Sequence, residues 1–161
     1  MTPDALDVFV DLQGLQFHYR DWGGRGMPLV LLHGLASNAR FWDLAAPHLL
    51  DSFRVVALDQ RGHGASAKPD DGYDFPTVAG DLAAFVRALR LERPVLAGHS
   101  WGGNVVLQAG ADYPDLARGL VCIDGGYIEP SAAPGATWER TAVALAPPAF
   151  AELRRTWAQR L

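Results

Sequence analysis

Two short segments near the N-terminus alternate apolar and polar residues, which is the pattern of a strand with one buried face. Residues 8–12 and 15–20 show this alternation, and Gln13 and Gly14 stand between them. A two-residue connection of this composition favours a tight turn between antiparallel strands. The segment therefore predicts a β-hairpin at the edge of a sheet.

Beyond the hairpin, the pattern changes to short and continuous apolar runs. Such runs are typical of parallel strands that are buried on both faces. They lie at residues 29–32, 53–58, 95–97 and 120–123.

The segments between these runs have helical periodicity. Ser37 or Asn38 can cap the first helix, and Pro114 lies just past the end of the third. The alternation of strands and helices predicts an α/β fold, with a mostly parallel sheet and flanking helices. We expect the helices near residues 39–50, 77–89 and 103–113.

The chain changes character after the last apolar run. Residues 125–135 are rich in Gly, Pro, Ser and Ala, which is typical of a loop. Two short amphipathic pieces follow, at 137–145 and 148–161. We therefore expect a core domain at residues 1–124 and the start of a helical lid at residues 125–161.

Composition narrows the class of protein. The chain has 161 residues, 49% apolar residues and a formal net charge of −4. This length fits one hydrophobic core, and the charge gives no basis for binding nucleic acid. The single cysteine, Cys122, lies within an apolar run, which predicts a buried and inert thiol. Neither a disulfide nor a cysteine-built zinc site is expected, and no cofactor or metal is implied.

Membrane and export signals are absent from the sequence pattern. The first seven residues contain two aspartates and no apolar core of signal-peptide length. No later run approaches the roughly 18 residues needed to span a bilayer. We expect a cytoplasmic protein without a membrane partner.

The stretch Gly98-His99-Ser100-Trp101-Gly102 carries the clearest chemical signal. It has the pattern G-x-S-x-G, follows a predicted strand and precedes a predicted helix. In a nucleophile elbow, this sharp turn holds the serine in a strained conformation with its hydroxyl exposed. The next N–H lies at the helix N-terminus, where it can stabilise an oxyanion. Ser100 is therefore the candidate nucleophile.

Four polar residues directly follow the four predicted parallel strands. Ligands bind at the carboxyl ends of the strands in an open parallel sheet, so we expect these side chains to meet at one edge. They are His33, Asp59, Ser100 and Asp124.

The segment that begins at His33 and Gly34 is the candidate second half of an oxyanion hole. We assign the two donors to the backbone N–H groups of Leu35 and Trp101. The alternative, that Gly34 serves only a tight turn, would leave the elbow with a single donor.

The general base and its acid are not evident. All five histidines precede Ser100, whereas this motif places the acid and then the histidine after the serine. Asp124 is a candidate acid, and it could equally cap the following loop. His99 should point away from Ser100, because side chains alternate across a strand. His33 is nearer in space, but it lies where the oxyanion hole is built.

The segment 59–66 contains an acid, a histidine and a serine, yet we predict a structural role for it. Its two glycines and its position between a strand and a helix favour a compact loop. In that loop the side chains of Asp59 and Arg61 would form hydrogen bonds with backbone groups and would pair with each other. The residues expected to contact substrate are His33, Gly34, Phe41, Trp42, Tyr127 and Trp138, although core packing would explain any of the aromatic ones.

Together, His33-Gly34, the segment 59–66 and the segment 98–103 closely resemble the α/β-hydrolase superfamily, especially its capped esterase-like members. The resemblance runs from about residue 8 to 124 and into the start of the cap. Dehalogenases and epoxide hydrolases of this fold use an aspartate at the elbow. Ser100 therefore implies ester, thioester, lactone or similar acyl chemistry on a small molecule.

The family supplies its histidine, and usually its acid, from loops after two further strands, which this sequence lacks. The strand at 120–123 would then form an open apolar sheet edge. We expect this chain to be the N-terminal part of such a hydrolase, or to be completed by a second chain, and to be inactive or weakly active alone. The alternative is a non-catalytic or complementation-dependent protein that binds a ligand or partner.

Overall fold

The computed structural model describes residues 4–126. These residues form one six-stranded sheet with the strand order β1-β2-β4-β3-β5-β6. The strands are β1 (Leu6–Leu12), β2 (Leu15–Gly23), β3 (Met27–Leu32), β4 (Phe53–Leu58), β5 (Val95–His99) and β6 (Gly119–Ile123).

The predicted hairpin is confirmed. β1 pairs antiparallel with β2, and β1 lies at the edge of the sheet. Gln13 and Gly14 both have positive φ, at 53° and 85°. Two such residues in succession match the twist of the flanking strands, which explains the tight turn.

The central strands β4, β3, β5 and β6 are mutually parallel, as predicted. Side chains alternate across each strand, so β3 and β4 bury residues on both faces. Val30 and Val56 belong to a core with the two α-helices, whereas Leu31 and Ala57 belong to a second core on the opposite face. The sheet is therefore covered on both sides in its centre.

The helices differ in part from the prediction. The two α-helices are α1 (Phe75–Ala88), which Asp74 caps through the Thr77 N–H, and α2 (Trp101–Asp112). The helix expected over 39–50 is instead two 3-10 turns, Ala39–Trp42 and Ala46–Leu49. Pro47 explains the break, because proline lacks an N–H and its ring clashes with the carbonyl four residues earlier. Asn38 caps the first turn, as predicted, by accepting a hydrogen bond from the Arg40 N–H.

The prediction that β6 is buried on both faces is wrong. Leu120, Val121 and Ile123 are about two-fifths exposed, and Cys122 is exposed rather than buried. Within residues 4–126, β5 is the only strand that pairs with β6, so the outer side of β6 has no neighbour in the sheet. The thiol of the exposed Cys122 lies 3.7 Å from Gly103 O of α2, to which it donates a weak hydrogen bond.

The described residues fall within one compact unit, Met1–Tyr127. The predicted lid at 125–161 lies almost wholly outside the described residues, so the boundary after residue 124 stays a prediction. Within residues 4–126, no helix is long and apolar enough to cross a bilayer.

Candidate active site

The carboxyl ends of the four parallel strands lie side by side. Leu32 is in register with Leu58 and with Gly98, and His99 is in register with Ile123. The residues that directly follow these strand ends are His33, Asp59, Ser100 and Asp124. The predicted convergence of these positions on one sheet edge is confirmed.

Ser100 forms a sharp turn between β5 and α2. Its φ is 51° and its ψ is −119°, a combination that is strained for a residue with a side chain. Two backbone bonds fix the turn, because Ser100 N donates to Ile123 O at 2.9 Å and Gly103 N donates to Ser100 O at 2.9 Å. The half-buried side chain has no hydrogen-bond partner for its hydroxyl within residues 4–126. The backbone therefore has the form of a nucleophile elbow.

Close backbone packing explains the glycines on either side of Ser100. A Cβ on Gly98 would collide with Gly102 O, and a Cβ on Gly102 would lie 2.6 Å from His33 O. Any larger residue would push β5, α2 and the loop after β3 apart. The glycines of the motif therefore let the serine turn and the loop after β3 approach each other.

His33 organises the loop after β3. Its ring is fully buried, Nδ1 donates to Gly34 O at 2.7 Å, and Nε2 accepts a hydrogen bond from Gln60 N at 3.1 Å. Gln60 returns a second bond, from its side-chain amide to His33 O at 2.7 Å. Burial lowers the pKa of His33 to about 4, so the ring is neutral at physiological pH and both nitrogens are engaged.

Asp59 connects three parts of the fold, as its predicted structural role requires. Its Oδ1 accepts the Ala39 N–H at 2.6 Å, and its Oδ2 accepts the Ala65 N–H at 2.8 Å. Oδ2 also lies 2.7 Å from His18 Nδ1. The buried carboxylate therefore links the loop after β4 to the first 3-10 turn and to β2.

The prediction that Arg61 pairs with Asp59 is wrong. Arg61 instead forms a two-pronged ion pair with Asp81 of α1, at 2.7 Å from Nε and 2.8 Å from Nη2. Hydrogen bonding to Asp81 raises the pKa of Arg61. Asp59 is already occupied by the Ala39 and Ala65 amides. The planar guanidinium of Arg61, by contrast, matches the carboxylate of Asp81 on α1.

None of the five histidines forms a hydrogen bond to the Ser100 hydroxyl. His18 lies between two carboxylates, with Nε2 at 3.1 Å from Asp7 Oδ1. His63 bonds to Arg61 O and to the Ala36 N–H, and His48 is exposed on the second 3-10 turn. His99 stacks on Phe41 at 4.7 Å between ring centroids, and its Nδ1 has no hydrogen-bond partner among residues 4–126.

The other predicted site residues fall into different environments. Leu35 and Phe41 are about half exposed, whereas Trp42 is only 6% exposed and belongs to the second core. Asp124 is exposed and has a φ of 46°. Tyr127 and Trp138 lie outside the described residues.

Two residues near the elbow were missed from the sequence. Asn104 of α2 is buried, and its side chain accepts a hydrogen bond from Gly126 N at 3.0 Å. Gln60 holds the loop after β3, as described above. The sequence contained a signal for Asn104, because it is a lone amide inside the apolar stretch of a helix. A buried amide side chain needs a hydrogen-bond partner.

The chain matches the model of the alpha/beta hydrolase fold family over residues 27–153. Together with the mixed sheet and the serine turn, this match shows that the chain belongs to the α/β-hydrolase family.

One similar curated protein is 2-(acetamidomethylene)succinate hydrolase of Mesorhizobium japonicum, with 39% identity over 76% of this chain and 44% of that protein. Another is the bifunctional esterase/perhydrolase of Acinetobacter calcoaceticus, with 39% identity over 71% of this chain and 39% of that protein. The crystal structure of E-2-(acetamidomethylene)succinate hydrolase matches with a TM-score of 0.72 and 36% identity, over 78% of this chain and 46% of that one. The chain thus spans less than half the length of these relatives.

Proposed function

We propose that Ser100 is the nucleophile of a serine hydrolase that acts on ester, thioester or related acyl bonds of a small molecule. The observation that carries this proposal is the strained Ser100 backbone at the β5–α2 junction, with φ at 51°. Such strain persists only where the surrounding structure enforces it, and it is concentrated at functional sites. Hydrolase relatives, one of them named an esterase, support the same chemistry.

In this proposal, Ser100 Oγ attacks the acyl carbonyl carbon and its proton passes to a general base. The carbonyl oxygen becomes an oxyanion, which the N–H groups of Leu35 and Trp101 stabilise. Collapse expels the leaving group and forms an acyl-enzyme, and water then releases the acid and restores Ser100. The Trp101 N–H is suited to this task because it belongs to the first residue of α2 and has no partner within the helix.

The two segments that carry the proposed donors are close together. A Cβ built on Gly34 would lie 3.3 Å from the Ser100 Cβ. Phe41, stacked on His99, is the exposed aromatic residue nearest in sequence to this loop and is our candidate wall for an acyl group. We assign His33 to positioning through its buried ring, and Trp42 to core packing.

Within residues 4–126, none of the five histidines forms a hydrogen bond to the Ser100 hydroxyl, so none of them is positioned there as its general base. Because the chain spans less than half the length of the relatives described above, we propose that further polypeptide or a second chain supplies the base. Asp124 remains a candidate acid, since it directly follows Ile123, whose carbonyl is bonded to Ser100 N. The lack, within residues 4–126, of a histidine hydrogen-bonded to Ser100 is also the observation that favours the second candidate, a hydrolase-like protein that binds its ligand without turnover.

A fluorophosphonate probe tests the proposal, because it forms a covalent bond to a nucleophilic serine. We expect mass spectrometry of the intact chain to show a single adduct, and peptide mapping of the digested chain to place it on Ser100. Added imidazole should accelerate labelling by supplying the base, and Ser100→Ala should abolish it. Ser52→Ala, which changes an exposed serine, is the matched control and should leave labelling unchanged. A folded chain that forms no adduct at Ser100, with or without imidazole, overturns the nucleophile assignment and supports binding alone.

A further inference from the structure

His63 lies in the loop after β4 and makes two hydrogen bonds with fixed direction. Its Nδ1 is 2.9 Å from Arg61 O, and its Nε2 is 3.3 Å from Ala36 N. A carbonyl oxygen only accepts and an amide only donates, so Nδ1 carries the proton and Nε2 offers its lone pair. Both bonds together require the neutral ring in one tautomer.

The residue that His63 holds is itself strained. Ala36 has a φ of 57°, in the left-handed region that residues with a side chain seldom adopt. Ala36 directly follows Leu35, one of the two proposed oxyanion donors. The direction of the Leu35 N–H therefore depends on a strained turn that the bond to His63 restrains.

The ring of His63 also contacts both halves of the proposed oxyanion hole. Its centroid lies 5.0 Å from that of His33, on the loop after β3, and 5.7 Å from that of Trp101, at the start of α2. No hydrogen bond to Ser100 involves this ring. The His63 ring therefore lies between the loop after β3, which carries Leu35, and the start of α2, which carries Trp101.

We propose that neutral His63 is a positioning residue that fixes the spacing of the Leu35 and Trp101 N–H groups, and that its protonation releases the Ala36 turn. This inference rests on the proposed oxyanion hole. A proton on Nε2 turns the acceptor into a donor that faces the Ala36 N–H, so that bond is lost. The bonds that hold the neighbouring residues of this loop remain, but none of them holds the Ala36 N–H. They run from His33 to Gly34 O, from Gln60 to His33 O and from the Ala39 N–H to Asp59.

Few charged groups face His63. His33 faces it from the end of β3, and its ring is neutral because burial, with a smaller contribution from His63, lowers the pKa of His33. Trp101 contributes an uncharged ring from α2. Within its own loop, Asp59 is occupied by backbone amides, Arg61 is neutralised by Asp81 of α1, and Lys68 bonds to Gly64 O and Ser66 O.

Nuclear magnetic resonance of the ¹⁵N-labelled chain tests the bond directly. At neutral pH, we expect the His63 ring nitrogens to show the tautomer protonated at Nδ1. On acidification, the Ala36 amide shift should follow the His63 titration with the same midpoint. His63→Phe should abolish that titration, and His48→Gln, which removes an exposed histidine, should preserve it. A ring protonated at Nε2, or an Ala36 amide that ignores the His63 titration, overturns the inference.

Labelling of Ser100 by the fluorophosphonate probe, with imidazole present, then tests the positioning role. His63→Phe keeps an aromatic ring beside Trp101 and removes the acceptor, so we expect labelling to slow at least about tenfold. His63→Gln, whose amide oxygen can accept the Ala36 N–H, should recover part of the rate. Protonation of the added imidazole slows all three proteins alike, so the readout is the ratio of rates, and the advantage of the unaltered chain over either variant should shrink on acidification. Unchanged labelling in His63→Phe overturns the role. The resonance experiment needs no reactive serine, so it separates failure of this inference from failure of the proposed function.

Discussion

Gly34 lies directly against Ser100, so closely that a Cβ built on Gly34 would be 3.3 Å from the Ser100 Cβ and 3.1 Å from His99 Nδ1. Contacts of this length are tighter than ordinary van der Waals packing, and the neighbours must move to accept them. The loop after β3 and the serine turn therefore share one small volume. In a hydrolase, that proximity brings an oxyanion donor and the nucleophile to the same carbonyl group.

Gly34→Ala is expected to slow labelling of Ser100 by about tenfold while the stability changes by less than about 1 kcal/mol. The added methyl group displaces Ser100 by a few tenths of an ångström, and small misplacements at a reacting centre are costly. Labelling kinetics and urea unfolding of the same samples measure both effects. Gly119→Ala is the matched control, because a Cβ there meets nothing within 4 Å. Equal labelling rates in the two variants would contradict the proposed geometry.

Asp59→Asn is expected to destabilise the chain by about 3 kcal/mol, because buried donors lose their acceptor. Asp59 accepts the N–H groups of Ala39 and Ala65 and contacts His18 Nδ1. Asparagine has one acceptor oxygen, and its amide hydrogens would face one of these donors. Urea denaturation at pH 7 measures the loss, with Asp70→Asn at an exposed position as the control. A loss of less than about 1 kcal/mol would mean that the carboxylate is not essential to the loop.

The parts of this fold that were predicted from sequence depend on local patterns. Alternation predicted the hairpin, continuous apolar runs predicted the parallel strands, and the glycines around Ser100 predicted the turn. The pairing of Arg61 with Asp81 was missed because it joins residues 20 positions apart on different elements. The open edge at residues 120–123 was predicted, but the exposure of Cys122 was missed because an apolar run predicts that both faces of the strand are covered.

The role of His63 also lay beyond sequence analysis, for a different reason. Its motif contains an acid, a histidine and a serine, so it has the ingredients of a catalytic site. The structure instead gives His63 two backbone partners, Arg61 and Ala36. Only the fold determines that the loops after β3 and β4 touch, and therefore which backbone groups a histidine between them can reach.

His33 should make the stability of the chain fall as the pH is lowered from 6.5 toward 4. Its pKa in the folded chain is about 4, against 6.5 for the ordinary value, so the unfolded chain binds the proton first. The contribution of His33 to the free energy of unfolding is complete above pH 6.5 and is lost progressively as the pH falls below that value. Between pH 6.5 and 4 the loss amounts to roughly 3 kcal/mol. Urea unfolding between pH 7.5 and 4 measures the slope.

The matched variants isolate this contribution from that of other titrating groups. His33→Gln is expected to be less stable at neutral pH and to show a shallower fall in stability between pH 6.5 and 4. His48→Gln, at an exposed histidine, should retain the slope of the unaltered chain. Identical slopes in the His33 variant and the unaltered chain would show that this histidine is protonated in the folded state as readily as in the unfolded one.

The exposed strand β6 predicts self-association of the 161-residue chain. Leu120, Val121 and Ile123 are 39%, 44% and 41% exposed, and within residues 4–126 β6 pairs only with β5. An apolar strand with unpaired backbone groups is a template for pairing with another chain. Size-exclusion chromatography over a range of concentrations should therefore show species larger than a monomer, and Val121→Lys should shift them toward the monomer. Leu44→Lys introduces the same charge at a residue that is 88% exposed outside the sheet, and it should have no such effect.

Cys122 reports on the same surface, because this exposed residue should react with a disulfide reagent in the monomer and more slowly as the chain associates. A chain that is monomeric at every concentration, with a protected Cys122, would show that β6 is covered within the chain itself.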